Sequence, residues 1–269
     1  MLIVLRIAII IFVLYVLSTY CRHGHQGLVA LRGWSYAHRG LHGNEIPENS
    51  LAAFTAAVRG GYGSELDVHL LADGELAVIH DSLLMRTTGA QGRIEDLTAD
   101  QLCDYHLEGT DQTIPLLSQV LDLYAGSAPL IVELKPLGDN VDALCRKACE
   151  QLDNYNGVFC VESFDPRCVH WFRKNRPEIV RGQLTEDFFK SETSKLPAVL
   201  KFALKAQVFN FLTRPDFVAY KYADRKIFSN FLCRRIWGAQ GVSWTLETIE
   251  EYNTAVKEGW IPIFENFCP

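Results

Sequence analysis

Short apolar, β-rich runs alternate with helical patterns from residue 34 to the end of the chain. Their spacing and the flanking turn residues predict eight strands, at 34–38, 64–68, 130–134, 157–164, 179–184, 206–212, 240–245 and 260–264. Helical spacing with start and stop signals predicts five helices between them, at 51–60, 116–125, 140–153, 166–175 and 247–258. This alternation favours an α/β fold of the (β/α)8 TIM-barrel type, with a doubly wound open sheet as the second possibility.

One segment breaks the alternation after the second predicted strand. Two period-2 runs flank Asp73-Gly74, a pair that is typical of a tight hairpin turn. Residues 76–80 are therefore predicted to return antiparallel instead of adding a ninth barrel strand. The segment that follows, 83–114, is too long for an ordinary loop, and it is predicted to form a small insertion over one end of the barrel.

The amino-terminal twenty residues are apolar except for Arg6, Ser18 and Thr19. About 20 apolar helical residues can cross a bilayer, so residues 1–21 are predicted to be a transmembrane anchor. A linker at 22–33 and a TIM-barrel domain at 34–269 would follow. The alternatives are a buried core helix and a cleaved signal peptide. An uncleaved anchor is favoured because the run is long for a core helix and no small-residue cleavage site follows it.

Charge and cysteine content narrow the class of protein. The net charge is −6 and the pI is near 5.8, so the sequence shows no basic surface for the phosphate backbone of a nucleic acid. We therefore do not expect nucleic acid as a partner. The eight cysteines lack metal-finger spacing and favour reduced, buried thiols. Together with the predicted anchor, the reduced thiols favour a single-pass, membrane-anchored protein with its catalytic domain on the cytoplasmic side. Arg6 on one side of the anchor and Arg22 and Arg32 on the other leave both orientations open.

Polar residues collect where the predicted strands end, which in a barrel of this type is the catalytic mouth. Glu65 and Asp67 share one side of the second strand, and Glu133 closes the third. Three oxygen donors suit a hard divalent ion such as Mg²⁺ or Ca²⁺. An ordinary salt-bridge cluster with Lys135 and Arg39 is the alternative, and spacing alone does not separate the two.

Two histidines occupy similar strand-end positions. His38 closes the first strand and His80 ends the returning hairpin strand. One neutral and one protonated imidazole could serve as general base and general acid, while Arg39 and Lys135 could clamp a phosphoryl group. A structural, hydrogen-bonded role is the alternative for each imidazole. Solvent or loop hydrogen bonds are expected for the other histidines considered, which are His42, His69 and His106.

A series of motifs in this order resembles the glycerophosphodiester phosphodiesterase family. They are HRG (38–40), PENS (47–50), ELDVHLLADGELAVIHD (65–81), RTTGAQGRIEDLT (86–98), IPLL (114–117), VELK (132–135) and SF (163–164). The resemblance implies a TIM barrel that hydrolyses glycerophosphodiesters to sn-glycerol 3-phosphate and an alcohol with one divalent metal ion. It implies Glu65, Asp67 and Glu133 as metal ligands, and His38 and His80 as the acid/base pair.

The same resemblance implies substrate contacts. Arg39 and Lys135 match phosphate-contacting positions, and Glu48 falls in the PEN motif at the entrance of the site. Trp244 matches a late strand-end position that could line the glycerol or leaving-group pocket, although core packing would also explain it. The ending WIPIFENFCP (260–269) departs from the family pattern, which puts the substrate pocket in doubt.

Several alternatives stay open at this level. The substrate could be a water-soluble glycerophosphodiester, or a lysophospholipid or other membrane lipid diester, and a catalytically silent headgroup-binding relative is the third possibility. Hydrolysis could pass through a cyclic phosphate or use direct attack by water. The aromatic and basic segments 210–222 and 225–237 are predicted to be outer barrel helices rather than a membrane-contacting face.

Overall fold

Eight parallel strands close into a barrel in the computed structural model, which describes residues 1–43, 45–191 and 195–269. The strands, with one antiparallel addition (β3), are β1 (Tyr36–Ala37), β2 (Gly63–Leu70), β3 (Leu76–Val78), β4 (Leu130–Leu134), β5 (Phe159–Ser163), β6 (Arg181–Thr185), β7 (Phe217–Lys221), β8 (Gln240–Leu246) and β9 (Trp260–Phe264). Strand β1 pairs in parallel with both β2 and β9 and thereby closes the barrel. The predicted (β/α)8 fold is therefore confirmed, and the open sheet is wrong.

Helices surround the barrel and follow most of its strands. They are α1 (Leu2–Ser18), α2 (Leu28–Leu31), α3 (Leu51–Gly60), α4 (Met85–Thr88), α5 (Leu117–Tyr124), α6 (Val141–Leu152), α7 (Pro166–Asn175), α8 (Ala198–Lys205), α9 (Asn210–Thr213), α10 (Phe228–Phe231) and α11 (Ile249–Lys257). All five predicted helices are present, as α3, α5, α6, α7 and α11. The Ser50 hydroxyl caps α3 by accepting from the backbone N–H of Ala53, and Gly61 ends it at φ 76°.

One predicted strand is wrong. Residues 206–212 follow α8 and lead into α9, and Gln207 has a φ of 57°, which breaks any extended run there. The actual strand is β7, in a segment predicted to be an outer helix. Its first four residues are buried on both faces, so it lacks the alternation that marks a half-exposed strand. The second aromatic and basic segment, 225–237, is largely helical, as predicted.

The prediction of a membrane-spanning anchor is wrong. Helix α1 ends at Ser18 after 17 residues, a length of about 26 Å, which falls short of the ~30 Å hydrocarbon core of a bilayer. Among the residues that the structure describes, none of the helices combines the length and apolarity needed to cross a membrane. The predicted single-pass anchoring and the membrane partner are therefore not supported.

The last turn of α1 and the segment behind it pack against the barrel. The Tyr15 hydroxyl donates to the carbonyl of Ala206 over 3.4 Å, and the Trp237 indole donates to the carbonyl of Val16 over 3.2 Å. Arg22 then forms a two-pronged ion pair with the buried carboxylate of Asp216. These contacts join residues 15–22 to the connections between β6 and β7 and between β7 and β8.

The segment between β2 and α5 carries its own small core. Strand β3 pairs antiparallel with β2, which confirms the predicted hairpin. Residues 83–114 contain α4 and two short 3₁₀ helices, Ile94–Asp96 and Ala99–Asp104. Their apolar side chains form a buried cluster, which includes Leu84, Ile94, Leu97, Leu102 and Leu107. This cluster holds the segment beside the strand end that carries His80.

Candidate active site

Three carboxylates meet at the carboxyl ends of β2 and β4. Parallel pairing places Asp67 opposite Glu133, and the two-residue repeat of β2 puts Glu65 on the same side. One oxygen from each residue lies within 4.8 Å of one from each of the others, and all three residues are buried. Carboxylates this close repel one another unless a cation or a proton relieves them.

Lys135 supplies positive charge to this carboxylate trio, by which we mean Glu65, Asp67 and Glu133. Its Nζ lies 3.0 Å from Asp67 Oδ1 and 2.7 Å from Glu133 Oε1. Burial lowers the pKa of Lys135, but the two carboxylates outweigh burial and raise that pKa above its ordinary value. The ammonium group therefore stays charged beside the trio.

The trio carries more negative charge than Lys135 alone balances. Burial, together with the charges of Asp67 and Glu133, raises the pKa of Glu65 well above its ordinary value. Burial also raises the pKa of Glu133 to about 7. For Asp67, burial is outweighed by Lys135, which holds that pKa well below the ordinary value. Three buried carboxyl groups whose charge a single ammonium group does not balance fit the donor set of a hard divalent ion.

His38 follows β1 and lies between two acidic groups. Its Nε2 is 3.9 Å from Glu65 Oε2, and its Nδ1 is 3.1 Å from Glu265 Oε2. The other oxygen of Glu265 lies 3.2 Å from Nε2 of His42. Burial lowers the pKa of His38, and the hydrogen bond with Glu265 opposes this change. The Glu265 contact fixes the ring and directs Nε2 toward the trio.

His80 is held in a similar way from the other side. Its Nδ1 lies 2.7 Å from Asp81 Oδ1, and its backbone carbonyl is 3.2 Å from Nε2 of the buried His69. Nδ1 of His69 in turn contacts Glu95 Oε1 at 2.8 Å. Burial lowers the pKa of His80, while the charge of Asp67 opposes this change. Both imidazoles thus have one nitrogen engaged by a carboxylate.

Two carboxylates at the mouth of the barrel, those of Glu65 and Glu48, position Arg39. Its backbone N–H donates to Glu65 over 3.2 Å, and its Nη1 donates to Glu48 over 3.0 Å. The same carboxylate of Glu48 also accepts from Arg86, at 2.6 Å for the shortest contact. Gly40 (φ 79°) permits the turn after Arg39, because a Cβ there would lie 2.8 Å from that of Ala53. Glu48 therefore bridges two guanidinium groups.

These side chains surround a cavity of about 40 Å³ inside the barrel mouth. Its lining includes His38, Arg39, Glu65, His80, Glu133, Glu162, Phe164, Leu184, Trp244 and Ile263. Asp67 adjoins the cavity as a member of the trio, Lys135 contacts Asp67 and Glu133, and Glu48 pairs with Arg39. The structure thus brings all nine sequence-predicted site residues together. Trp244 packs edge-on against Phe164, with ring centroids 5.6 Å apart.

Sequence reasoning missed two members of the site, Glu162 and Glu265. Glu162 is paired in register with Glu133 and is buried in the same cavity; the two-residue repeat of β5 was the signal. Glu265 directly follows β9, where the strand-end rule that identified His38 applies equally. Asn49, which lies beside Glu48 in the PENS motif, also contacts the trio, because its side-chain amide donates to Asp67 Oδ2 over 2.9 Å. The cap of α3 is Ser50, not Asn49.

The fold and this geometry define the class as a (β/α)8-barrel protein with a buried, charged cavity at the carboxyl ends of its strands. The chain belongs to the glycerophosphoryl diester phosphodiesterase family, whose family model matches residues 38–225. The resemblance drawn from the motifs is therefore confirmed.

Individual relatives agree with this assignment. A glycerophosphodiester phosphodiesterase of Bacillus altitudinis is 37% identical over 163 residues, which cover 56% of this chain and 66% of the relative. The chain thus spans just under two thirds of that protein. Mouse glycerophosphodiester phosphodiesterase 1 is 27% identical over 252 residues, covering 81% of this chain and 72% of the relative.

A solved structure supports the fold. An Oleispira antarctica phosphodiesterase in complex with the product sn-glycerol-3-phosphate superposes with a TM-score of 0.71 at 21% identity, covering 87% of this chain and 93% of that one. At this identity the likeness concerns the barrel architecture.

Proposed function

We propose that this protein hydrolyses glycerophosphodiesters to sn-glycerol 3-phosphate and an alcohol, with one divalent cation and two histidines. Family membership supports this reaction class, and the names of the relatives and the product bound in the Oleispira protein point to the same chemistry. The observation that carries the proposal is the gathering of the carboxylate trio, two imidazoles and two cationic side chains around one cavity.

The trio fits a divalent cation. Asp67 Oδ1 and Glu133 Oε1 are buried and accept no well-formed hydrogen bond, although each faces Lys135 Nζ. We assign Glu65, Asp67 and Glu133 as the ligands of one Mg²⁺ or Ca²⁺ ion. When bound, such an ion offsets negative charge on the phosphoryl oxygens and on the trio itself.

The remaining steps fall to the chain's own side chains. Arg39 and Lys135 bind and orient the phosphoryl group, and Glu48 fixes the guanidinium of Arg39. One imidazole accepts a proton from the attacking hydroxyl or water, and the other donates a proton to the leaving alcohol. Nδ1 of His38 is hydrogen-bonded with Glu265, and Nδ1 of His80 is hydrogen-bonded with Asp81. The Nε2 atom of each ring is therefore the one that we assign to proton transfer.

A coupled assay tests the proposal. Release of glycerol 3-phosphate from glycerophosphocholine is followed with glycerol-3-phosphate dehydrogenase. Activity is expected to disappear with a chelator and to return with Mg²⁺ or Ca²⁺. We expect His38→Ala and His80→Ala each to lower kcat by about 10²- to 10⁴-fold. Full activity of the double His38→Ala/His80→Ala variant would overturn the mechanism.

A catalytically silent headgroup binder is the competing interpretation. Both imidazoles, Glu65 and Glu133 line the cavity, and Asp67 lies against them in the trio, an arrangement that a binder does not require. Glycerophosphocholine that binds the metal-loaded wild-type protein without release of glycerol 3-phosphate would favour that alternative.

A further inference from the structure

A small recess lined by three arginines lies at the end of the barrel opposite the catalytic cavity. Its volume is about 100 Å³, and its polar side chains are those of Arg32, Arg234, Arg235 and Gln240. Gln240 begins β8, so the recess lies at the amino ends of the strands. Catalytic side chains of such barrels lie at the carboxyl ends. This arginine recess, as we call it, is therefore separate from the proposed catalytic site.

Arg234 is held in place by its neighbours at the wall of the recess. Its guanidinium carbon lies 3.6 Å from the ring centroid of Trp260, and its Nη2 donates to the carbonyl of Glu258 over 2.9 Å. A Cβ on Gly241 would lie 2.5 Å from Arg234 Nε, so this glycine leaves the space that the side chain fills. The hydrogen bond to Glu258 engages only one of the five N–H groups of a guanidinium.

The positive charge of Arg234 is not balanced by a carboxylate. Glu258 accepts instead from Arg225, at 2.9 Å and 3.3 Å, and from the indole of Trp260 at 3.1 Å. Burial lowers the pKa of Arg234 to about 10, and the charge of Arg235 acts in the same direction. An anion beside these two arginines would oppose both effects.

Gln240 brings the third arginine to the recess. The Nε of Arg32 donates to Gln240 Oε1 over 2.9 Å, and the Gln240 amide donates to the carbonyls of Gly241 and Gly259 over 2.9 Å and 3.0 Å. Within the part of the chain that the structure describes, no carboxylate forms an ion pair with any of the three arginines of the recess. Like charges that share one recess repel one another unless a counter-ion relieves them.

The size and charge of the arginine recess indicate a class of ligand. A volume of about 100 Å³ is about three times the ~30 Å³ that one molecule of liquid water occupies, which is room for one tetrahedral oxyanion. Guanidinium groups match the geometry of phosphate oxygens and bind them with paired hydrogen bonds. A doubly charged phosphate group would offset most of the charge that gathers here, in a chain whose net charge is −6.

We propose that the arginine recess binds a phosphate dianion, either as free phosphate or as the terminal phosphate group of a small monoester. The inference does not rest on the proposed function, because the recess shares no lining residue with the catalytic cavity. The proposed product, sn-glycerol 3-phosphate, belongs to this class of ligand. An adjoining recess of about 580 Å³ shares Arg234 and Arg235, and it has room for the organic part of an ester.

Site-resolved labelling of arginines tests this site without turnover. Phenylglyoxal modifies exposed guanidinium groups, and peptide mass spectrometry gives the rate at each arginine of the full-length protein. Arg235 is the reporter, and Arg59, which is also exposed and lies outside the recess, is the reference. At about ten times its Kd, inorganic phosphate should slow labelling of Arg235 by about tenfold relative to chloride at equal ionic strength, because the occupied site does not react.

The labelling rate of Arg59 should be the same in both salts. Labelling of Arg235 that phosphate slows no more than that of Arg59 would overturn the inference. Phosphate bound in the catalytic cavity does not affect this comparison, since neither arginine lines that cavity.

Variants then test whether the arginines act together. Arg32→Gln removes one charged donor from an exposed position, and it should raise the Kd for protection of Arg235 by about tenfold or more. Arg235→Gln, read at Arg32, should raise the Kd in the same way, so the test does not depend on one variant alone. Arg59→Gln is the matched control and should keep the wild-type Kd. Equal Kd values in Arg32→Gln and Arg59→Gln would contradict a shared site.

Separate titrations with inorganic phosphate and with sn-glycerol 3-phosphate identify the source of the anion. Tighter protection of Arg235 by the ester assigns the site to phosphate monoesters. Protection by inorganic phosphate that is equal or tighter assigns it to the free anion, and both results support the inference. Protection by neither compound contradicts it.

Discussion

Glu265 Oε2 lies 3.1 Å from Nδ1 of His38, so the residue after the last barrel strand holds an imidazole that follows the first. Closure of the barrel explains this contact between residues 227 positions apart, because β9 pairs with β1 and their carboxyl ends are adjacent. The backbone N–H of His38 also donates to the carbonyl of Phe264 over 3.0 Å.

Glu265 is therefore predicted to be a positioning residue for His38. Glu265→Gln keeps the size of the side chain but removes its charge and can present a donor to Nδ1. We expect kcat to fall by about tenfold or more with little change in KM, because the ring loses its fixed orientation and not its substrate contacts. Steady-state kinetics on glycerophosphocholine check this split between kcat and KM.

Two further variants separate positioning from a general loss of structure. Glu265→Asp keeps a carboxylate and should recover part of kcat, while Glu247→Gln, on an exposed residue just beyond β8, should behave as wild type. A rise in KM with unchanged kcat in Glu265→Gln would contradict the assignment.

The carboxylate trio leads to a prediction on metal binding that does not depend on activity. Glu65→Gln replaces a carboxyl group whose pKa is raised by burial and by the charges of Asp67 and Glu133, so the metal-free variant should be at least as stable as the metal-free wild type. A divalent ion at about 100 times its Kd should raise the free energy of unfolding of the wild type by about 2.7 kcal/mol. We expect most of this gain to be lost in Glu65→Gln.

Thermal or chemical unfolding with and without Mg²⁺ or Ca²⁺ measures both effects. Glu150→Gln changes an exposed carboxylate on α6 and should keep the full metal-induced stabilisation. Equal metal-induced stabilisation of Glu65→Gln and wild type would show that Glu65 is not a ligand.

In a (β/α)8 barrel, functional side chains lie at the carboxyl ends of the strands. This strand-end rule accounts for how much of the site the sequence could predict. It found His38, Glu65 and Glu133 because parallel strands deliver their carboxyl ends to one face, whatever their distance along the chain. Glu265 obeys the same rule, but it lies in the ending 260–269, which departs from the family pattern and carries no motif. Glu48 differs, because its link to Arg39 and Arg86 depends on how two loops fold back, which local pattern does not encode.

The errors in the fold share a physical cause. Short apolar runs are compatible with a buried strand, a buried helix or a membrane helix, and only packing partners decide among them. For this reason β7 was mistaken for a helix, and residues 206–212 were mistaken for a strand. The composition of α1 predicts an anchor, but its last turn contacts Ala206 and Trp237.

Glu95 links the segment 83–114 to the strand end that carries His80, and this link predicts a pH-dependent stability. Its buried carboxylate accepts from His69 and from the Ser82 hydroxyl at 2.7 Å. Burial raises the pKa of Glu95, but these hydrogen bonds outweigh burial and lower that pKa below its ordinary value. The stabilisation by the carboxylate is therefore complete above the ordinary pKa and is lost as the pH falls through the lowered one.

Glu95→Gln should thus destabilise the protein by about 1–3 kcal/mol at pH 7, and by less as the pH approaches 4. Urea unfolding at both pH values measures the difference. Glu108→Gln, an exposed change within the same segment, serves as control. A loss in Glu95→Gln that is the same at both pH values would contradict the ionic part of this argument.

Asp216 is predicted to be the residue on which docking of the amino-terminal segment depends. The fully buried carboxylate pairs with Arg22 and accepts from the backbone N–H of Arg181 over 3.0 Å. Burial lowers the pKa of Arg181 to about 10, and Asp216 opposes this change. Asp216→Ala leaves the buried guanidinium of Arg181 without its carboxylate, which typically costs about 3–5 kcal/mol.

Asp122→Ala, on an exposed residue of α5, should change the free energy of unfolding by less than about 0.5 kcal/mol. Urea unfolding of the two variants measures both values, and limited proteolysis should cut residues 1–22 faster in Asp216→Ala. Equal stability of the two variants would mean that Arg22 and Arg181 do not depend on this carboxylate.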